Sequence, residues 1–249
     1  MSVAAASPGS DGADTAIPAP RRRKLAEDFV RLIRQPKGLI GLVLVVFYAV
    51  LAIIGPYAAP LDPYTQNFAA TLRPPSAAHW FGTDQLGRDV LSRVMTGARA
   101  SLGIGIGGVA VAFVVGVPLG LLTAWLRGWF DMLVMRGVDI MLSFPDIVFA
   151  LAIVAILGAN TQNVIIAVGV VSIPVFIRTS RAVAMSVIAE PFVEGNVALG
   201  SAPLRVLARH VLPNMAGILV TLAALLFAST LLAASGLGFL GLGVQPPQP

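Results

Sequence analysis

The chain has 249 residues, 57% of them hydrophobic and only 12% charged, with a mean hydropathy of +0.85, whereas a soluble domain carries about a quarter charged residues; this is the composition of a membrane protein. The net charge of +5 comes from bases grouped between apolar runs, which reports membrane topology and gives no case for nucleic acid as a partner. Cysteine is absent and only His79 and His210 supply imidazoles, so disulfides, thiolate nucleophiles and a multi-histidine metal site are excluded and no cofactor is expected.

Residues 1–20 are mostly Ala, Ser, Pro, Gly and Asp, too polar and too small to offset chain entropy, and are expected to be a disordered tail. The bases Arg21, Arg22, Arg23 and Lys24 follow, and Leu25, Phe29, Leu32 and Ile33 fall at helical spacing before Lys37. That stretch fits either a short interfacial helix or a solvated lead-in. Gly38 to Leu61 carries no charge and is long enough to cross a hydrocarbon core of ~30 Å. Residues 62–99 are polar and interrupted by Pro63, Pro74 and Pro75, and are expected to be an external loop. The segment 100–249 holds the remaining spans. Ala100 to Leu126 is the second. Apolar sequence from Met132 to Ile177 is too long for one span, and the polar Gly158-Ala159-Asn160-Thr161-Gln162-Asn163 divides it into the third and fourth. A fifth falls near 216–240. Most bases flank the spans on one side, with Arg127, Arg136, Arg178, Arg181, Arg205 and Arg209 joining those before residue 38, against Arg73, Arg88, Arg93 and Arg99 on the other. The positive-inside rule then puts the N-terminus in the cytoplasm and the loop 62–99 outside.

The two lysines, Lys24 and Lys37, follow Arg and Pro, so no Gly-Lys-Ser/Thr phosphate cradle exists and the chain cannot hydrolyse ATP through one. Gly103, Gly105 and Gly108 spell G-x-G-x-x-G inside a membrane-length run. There, small residues mean close helix packing, expected through Gly103 and Gly107. Asp139 and Asp146 flank Ser143-Phe144-Pro145; a helix break at Pro145 with Asp146 capping the next helix accounts for them without transport chemistry. No nucleophile, base and orienter can be assembled, so an enzyme is not expected. A stand-alone secondary transporter needs an ionisable pathway, and the second and fifth spans contain no Asp, Glu, Lys or Arg.

The cytoplasmic segment 181–213 is more elaborate than a linker. Pro191 suits a first helical turn, Glu190 or Glu194 its positive end, and Gly200 a left-handed C-terminal cap. A second short helix from Ala202 would carry Leu204, Leu207, Ala208 and Val211 on one face, with Pro213 restarting the chain at the membrane. Two short helices joined by a turn would form a docking surface for a cytoplasmic partner.

Four stretches resemble a known family, the inner-membrane permease subunits of binding-protein-dependent ABC importers in the dipeptide, oligopeptide and nickel branch. They are His79-Trp80-Phe81-Gly82-Thr83-Asp84 running into Gly87-Arg88-Asp89; Asp139 through Phe144-Pro145-Asp146; the cytoplasmic loop, similar to the family's Glu-Ala-Ala loop at Glu194, Gly200, Leu212 and Pro213; and Gly238 through Pro247. The resemblance implies an all-α type I importer transmembrane domain in a bacterial inner membrane, which forms half of a pathway for peptides or similar solutes. The partners it implies are a second homologous permease, two cytoplasmic ATP-binding subunits, an extracytoplasmic binding protein and the lipid bilayer. It further implies that Glu194, Gly195, Asn196, Ala198 and Leu199 insert into an ATPase groove, with Gly200 making the turn. Where the family has Ala-Ala, this chain has Gly195-Asn196; Gly is a poorer helix former by ~1 kcal/mol and Asn by about two thirds of that, so a frayed coupling helix is expected. The family also continues past the Pro-rich end into a sixth span. Five spans are therefore expected in a fragment or truncated product, and an inactive half-permease is the alternative.

Overall fold

Asp89 starts a helix of 37 residues, and its carboxylate shows why. In the computed structural model, which describes residues 33–243, it accepts hydrogen bonds from the Ser92 N–H at 2.9 Å and the Ser92 hydroxyl at 2.7 Å, a side-chain N-cap. Helix α2 (Val90–Leu126) therefore begins ten residues before the charge-free run. The expected loop over 62–99 ends at Asp89, because Arg93 and Arg99 lie within the helix and freedom from charge marks only its apolar part. The expected tail over 1–20 and the bases at 21–24 lie outside the described residues, as do Val244 to Pro249. Residues up to Tyr48 form one unit and those from Ala49 another, with α1 (Pro36–Ala58) a continuous helix through that boundary.

Beyond α2 the chain turns at once. Arg127, at φ 50°, ends α2, and α3 (Gly128–Leu142) follows directly. Helix α4 (Asp146–Leu157) departs from α3 at 93°, across the Ser143-Phe144-Pro145 break. Pro145 takes the cap position and Asp146 lies in the first turn of α4 without a side-chain cap bond, so its expected capping role is corrected; the carboxylate there faces the positive end of the helix dipole. Asn160 caps α5 (Thr161–Ile188) by accepting from the Asn163 N–H at 2.8 Å. After the short α6 (Pro191–Ala198) comes α7 (Pro203–Phe239).

The expected second short helix and the last span are one element. Pro213 lacks an N–H and its ring conflicts with the carbonyl four residues back. A π segment over Leu207–Val211 resolves this, the Leu212 N–H bonding the Leu207 carbonyl five residues back, so the helix continues through the proline. Its buried face is Val206, Leu207, Val211 and Met215, whereas Leu204 and Ala208 are exposed. Among the described residues α1, α2, α5 and α7 are long and apolar enough to cross a membrane, and the bent α3–α4 pair makes five if it is one span. The expected five treats that pair as one.

The second unit is organised on α2 and α5. Gly108, Ala112, Gly116, Gly120 and Ala124, four apart along α2, are all buried. A Cβ added at Gly120 would lie 2.7 Å from the Ile177 carbonyl oxygen, and one at Gly116 3.0 Å from that of Ile173. Gly169 on α5 returns the arrangement, with the Gly108 carbonyl oxygen 2.9 Å from its Cβ position. The expected pair Gly103 and Gly107 is displaced: Gly103 meets nothing within 4 Å and Gly107 receives the Ile165 side chain. The α5 backbone itself approaches at Gly116 and Gly120, and only a side chain at Gly107. Around this seam pack Phe176, Ala184, Val193, Val206, Val211 and Met215 in one core cluster, with Phe113 and Phe176 edge to face at 5.6 Å. A second cluster joins Ile104, Val154, Val164 and Leu237.

Overpacking at such a contact costs about 1–3 kcal/mol, whereas Gly to Ala in an open helix position gains up to ~1 kcal/mol. Gly120→Ala is expected to lower the melting temperature in detergent and Gly103→Ala to leave it unchanged or raise it. Ser180, buried against Gly120 with its hydroxyl unpaired among the described residues, gives the converse: Ser180→Ala raises stability by removing an unsatisfied group. Differential scanning fluorimetry of the three variants checks the order.

Candidate functional site

The two stretches with the densest local chemistry sit at opposite ends of α2, whose 37 residues extend about 55 Å at 1.5 Å per residue. At its C-terminal end lies α6. Pro191 occupies the first turn and Glu194 the same turn, near the positive helix end. Val193, fully buried, fixes α6 to the cluster that contains Val206, Leu207 and Val211. Gly200 closes the helix at φ 77°. Its N–H donates to the Val197 carbonyl at 2.9 Å and that of Ser201 to the Asn196 carbonyl at 3.1 Å, the pair of bonds of a Schellman motif. Helix α7 ends on the same motif, through Gly241 to Gly238 and Leu242 to Leu237.

Glu194, Gly195, Asn196, Ala198 and Leu199 are thus brought together on α6 and its cap, while Leu212 and Pro213 stand in α7 just past the π segment, Leu212 packed against the shared core. The expected fraying at Gly195-Asn196 is not seen: α6 is helical throughout, and the Asn196 side-chain amide donates to the Phe192 carbonyl at 2.7 Å. A cleft of about 600 Å3 opens between α6 and the end of α2, lined by Trp125, Arg127, Ile188, Val193, Glu194 and Val197. The other side of α6 presents Phe192 and Leu199, the latter 87% exposed, beside Leu204 at 74%. These apolar side chains crown an anchored hairpin and suit a protein partner.

At the N-terminal end of α2, the residues Gly82, Thr83, Asp84, Gly87, Arg88 and Asp89 build a closed polar cage. The Thr83 hydroxyl donates to the Ala70 carbonyl and accepts from the Arg73 N–H at 2.8 Å. Asp84 accepts from the N–H groups of Leu86 and Arg88, each at 2.9 Å, from Arg88 Nε at 2.8 Å, and from Arg93. Burial opposes ionisation of Asp84, but the backbone donors of Arg88 and Leu86 and the two guanidinium groups outweigh it and hold the carboxyl at about 2. Asp89 is likewise lowered: burial raises it, and the Ser92 N–H and hydroxyl and the His79 ring, 3.0 Å away, prevail. Gly87 sits at φ 71°, where a Cβ would meet the Asn67 carbonyl oxygen at 1.8 Å. Hydrogen bonding within the cage engages these side chains with one another.

Two ion pairs escape sequence reasoning. Arg181 on α5 grips Asp131 on α3 through both guanidinium arms, at 2.5 and 2.6 Å, and Arg178 meets Asp139 at 2.7 Å. The available signal is that Asp131 and Asp139, eight apart, share a face of α3, while Arg178 and Arg181, three apart, share one of α5; nothing in the sequence says that these faces meet.

Comparison with known proteins bears on both ends. Residues 116–249 match the family model described as "Binding-protein-dependent transport system inner membrane component", and residues 25–75 the "N-terminal TM domain of oligopeptide transport permease C". A dipeptide transport system permease protein of Alkalihalophilus pseudofirmus is 40% identical over 223 residues, 90% of this chain and 73% of that protein. A di/tripeptide transport system permease protein of Pseudomonas aeruginosa is 43% identical over 218 residues, 85% and 71% of the two chains. A glutathione transport system permease protein of Shigella dysenteriae is 38% identical over 220 residues, 88% and 73%.

The Asp84 carboxyl, lowered on folding from 3.8 to about 2, stabilises the cage fully above its unfolded value, and that stabilisation is lost as pH falls through the folded one. Hydrogen exchange at the Leu86 and Arg88 amides, corrected for the intrinsic rate, is expected to show protection constant down to pH about 4 and lost towards pH about 2. Asp84→Asn removes this acid transition and leaves both amides less protected at neutral pH.

Proposed function

Because the chain belongs to the family of inner membrane components of binding-protein-dependent transport systems, we propose that it is the permease subunit of an ATP-driven importer for peptides or similar small solutes. The relatives at 38–43% identity are named for dipeptides, di- and tripeptides and glutathione, and this chain takes its substrate class from them. It forms half of the pathway beside a second homologous permease. Hydrolysis occurs in two cytoplasmic ATP-binding subunits, in keeping with the absence of a phosphate cradle in the sequence, and an extracytoplasmic binding protein delivers the solute. The N-terminus and α6 are cytoplasmic, a placement that the distribution of bases supports.

The observation that carries this reading is α6. An eight-residue helix that is too short to cross a membrane exposes Phe192 and Leu199, yet it is fixed through Val193 to the core of the bundle. A surface that merely shed water would not combine apolar exposure with rigid anchoring. Docking of an ATP-binding subunit accounts for both features: the exposed side chains enter its groove, and the anchor passes its movement on to α5 and α2. Glu194, Gly195, Asn196, Ala198, Leu199 and Gly200 form this coupling element, with Leu212 and Pro213 bracing its base. On the opposite side, the cage of Gly82, Thr83, Asp84, Gly87, Arg88 and Asp89 sets the shape of the extracytoplasmic loop.

Co-purification of the ATP-binding subunits with the tagged permease tests the docking. Leu199→Asp is expected to lose the subunits while the permease remains folded, since Leu199 is solvent-facing. Gly200→Pro is expected to lose them as well, because φ 77° is closed to proline and the bond to the Val197 carbonyl disappears. Retention of both subunits by both variants would exclude α6 as the docking element.

A further inference from the structure

Helix α3 is joined to α5 by two ion pairs. Of its fifteen residues only Val138 is buried, and in lipid an apolar face packs without a hydrophobic gain. What ties α3 to the bundle is the forked Asp131–Arg181 pair, its side chains 17% and 28% exposed, with the more open Asp139–Arg178 pair beyond it. A bidentate guanidinium–carboxylate pair fixes direction as well as distance, and partial withdrawal from water strengthens it. The two pairs run in opposite order along the two helices, so α3 lies antiparallel on α5.

Arg181 also stands where three elements meet. Its backbone nitrogen lies 3.0 Å from the Cβ position of Gly120, inside the α2–α5 seam, and its side chain crosses to α3. Helix α5 ends at Ile188, and the Glu190 N–H bonds the Val187 carbonyl as the chain passes into α6. On the other side, α3 passes through the Pro145 bend into α4, which packs Ala150 and Val154 against Val164 and Leu237. A continuous path therefore runs from α6 through α5 and Arg181 to Asp131, α3 and α4.

We propose that Asp131 and Arg181 are positioning residues that make the bent α3–α4 segment move with α5 when α6 is displaced, so that ATP hydrolysis is converted into a change of access to the pathway. This rests on the importer reading given above. Without the pair, α3 loses its forked tie to α5; α6 still docks and hydrolysis continues, but α4 no longer follows.

The test is the number of solute molecules imported per ATP hydrolysed by the complete complex in proteoliposomes, with assembly followed by size-exclusion chromatography. Asp131→Asn is expected to assemble and to hydrolyse ATP within about twofold of wild type while the transport ratio falls about fivefold or more, the scale of a coupling change along such a network. The charge exchange Asp131→Arg with Arg181→Asp is expected to restore most of the ratio. An Asp131→Asn complex with a wild-type ratio overturns the proposal. If Asp131→Asn fails to assemble, the exchange variant decides: assembly with a wild-type ratio supports the proposal, and a lowered ratio or failure to assemble shows a pair needed only for folding. Absence of ATP-driven import by the wild-type complex would instead refute the importer reading itself.

Discussion

Backbone contact between α2 and α5 is the constraint on which the rest of the second unit depends. In lipid, burying an apolar side chain between helices brings little gain, and association rests on close van der Waals approach. Gly116 and Gly120 on α2 and Gly169 on α5 allow that approach, with carbonyl oxygens where side chains would otherwise stand. Helices α3 and α7 then arrange themselves around the pair, α3 through ion pairs and α7 through the Met215 and Leu219 face. Because the seam runs most of the length of α2, it also sets the separation of the two polar regions at its ends.

Those regions are built on different principles. The loop before α2 is a hydrogen-bonded cage in which Thr83, Asp84 and Asp89 are occupied with neighbouring backbone and side-chain groups, and burial makes each bond worth more than it would be in water. Its chemistry is turned inward, which makes it a shaped surface. Helix α6 is the reverse. Its one buried side chain, Val193, anchors it, and Phe192 and Leu199 are exposed. A rigid inner contact and a sticky outer one are what a part needs if it is to receive a push and transmit it.

Local chemistry was legible in the sequence and pairing between distant segments was not. The cap at Gly200 follows from a glycine after an eight-residue helix, and the break at Pro145 from the missing N–H; both are decided within a few residues. Charge-free runs located the membrane helices, but the start of α2 lay ten residues earlier, because a helix may leave the apolar zone while Asp89 still caps it. Pro213 reads as a boundary because a proline usually is one; the π segment before it removes the steric reason. Gly103 and Gly107 fit the packing motif as well as Gly116 and Gly120 do, but Gly103 meets nothing and Gly107 meets only the Ile165 side chain of α5, whereas Gly116 and Gly120 meet the α5 backbone. Arg178 and Arg181 served as markers of topology, while their second role, as partners of Asp139 and Asp131, required knowledge that α3 folds back on α5.

On the function proposed above, α6 is the cytoplasmic contact of an importer permease. The chain contains no cysteine, so Leu199→Cys introduces a single thiol at the exposed C-cap of α6, which can be cross-linked in intact membranes to a cysteine in the groove of the ATP-binding subunit. A cross-link is expected whose yield changes when nucleotide is bound and which disappears when the cysteine is moved to the loop at Trp80. A Leu199→Cys thiol that forms no adduct with any ATP-binding subunit, and that reacts with a membrane-impermeant reagent added from outside the cell, would contradict it.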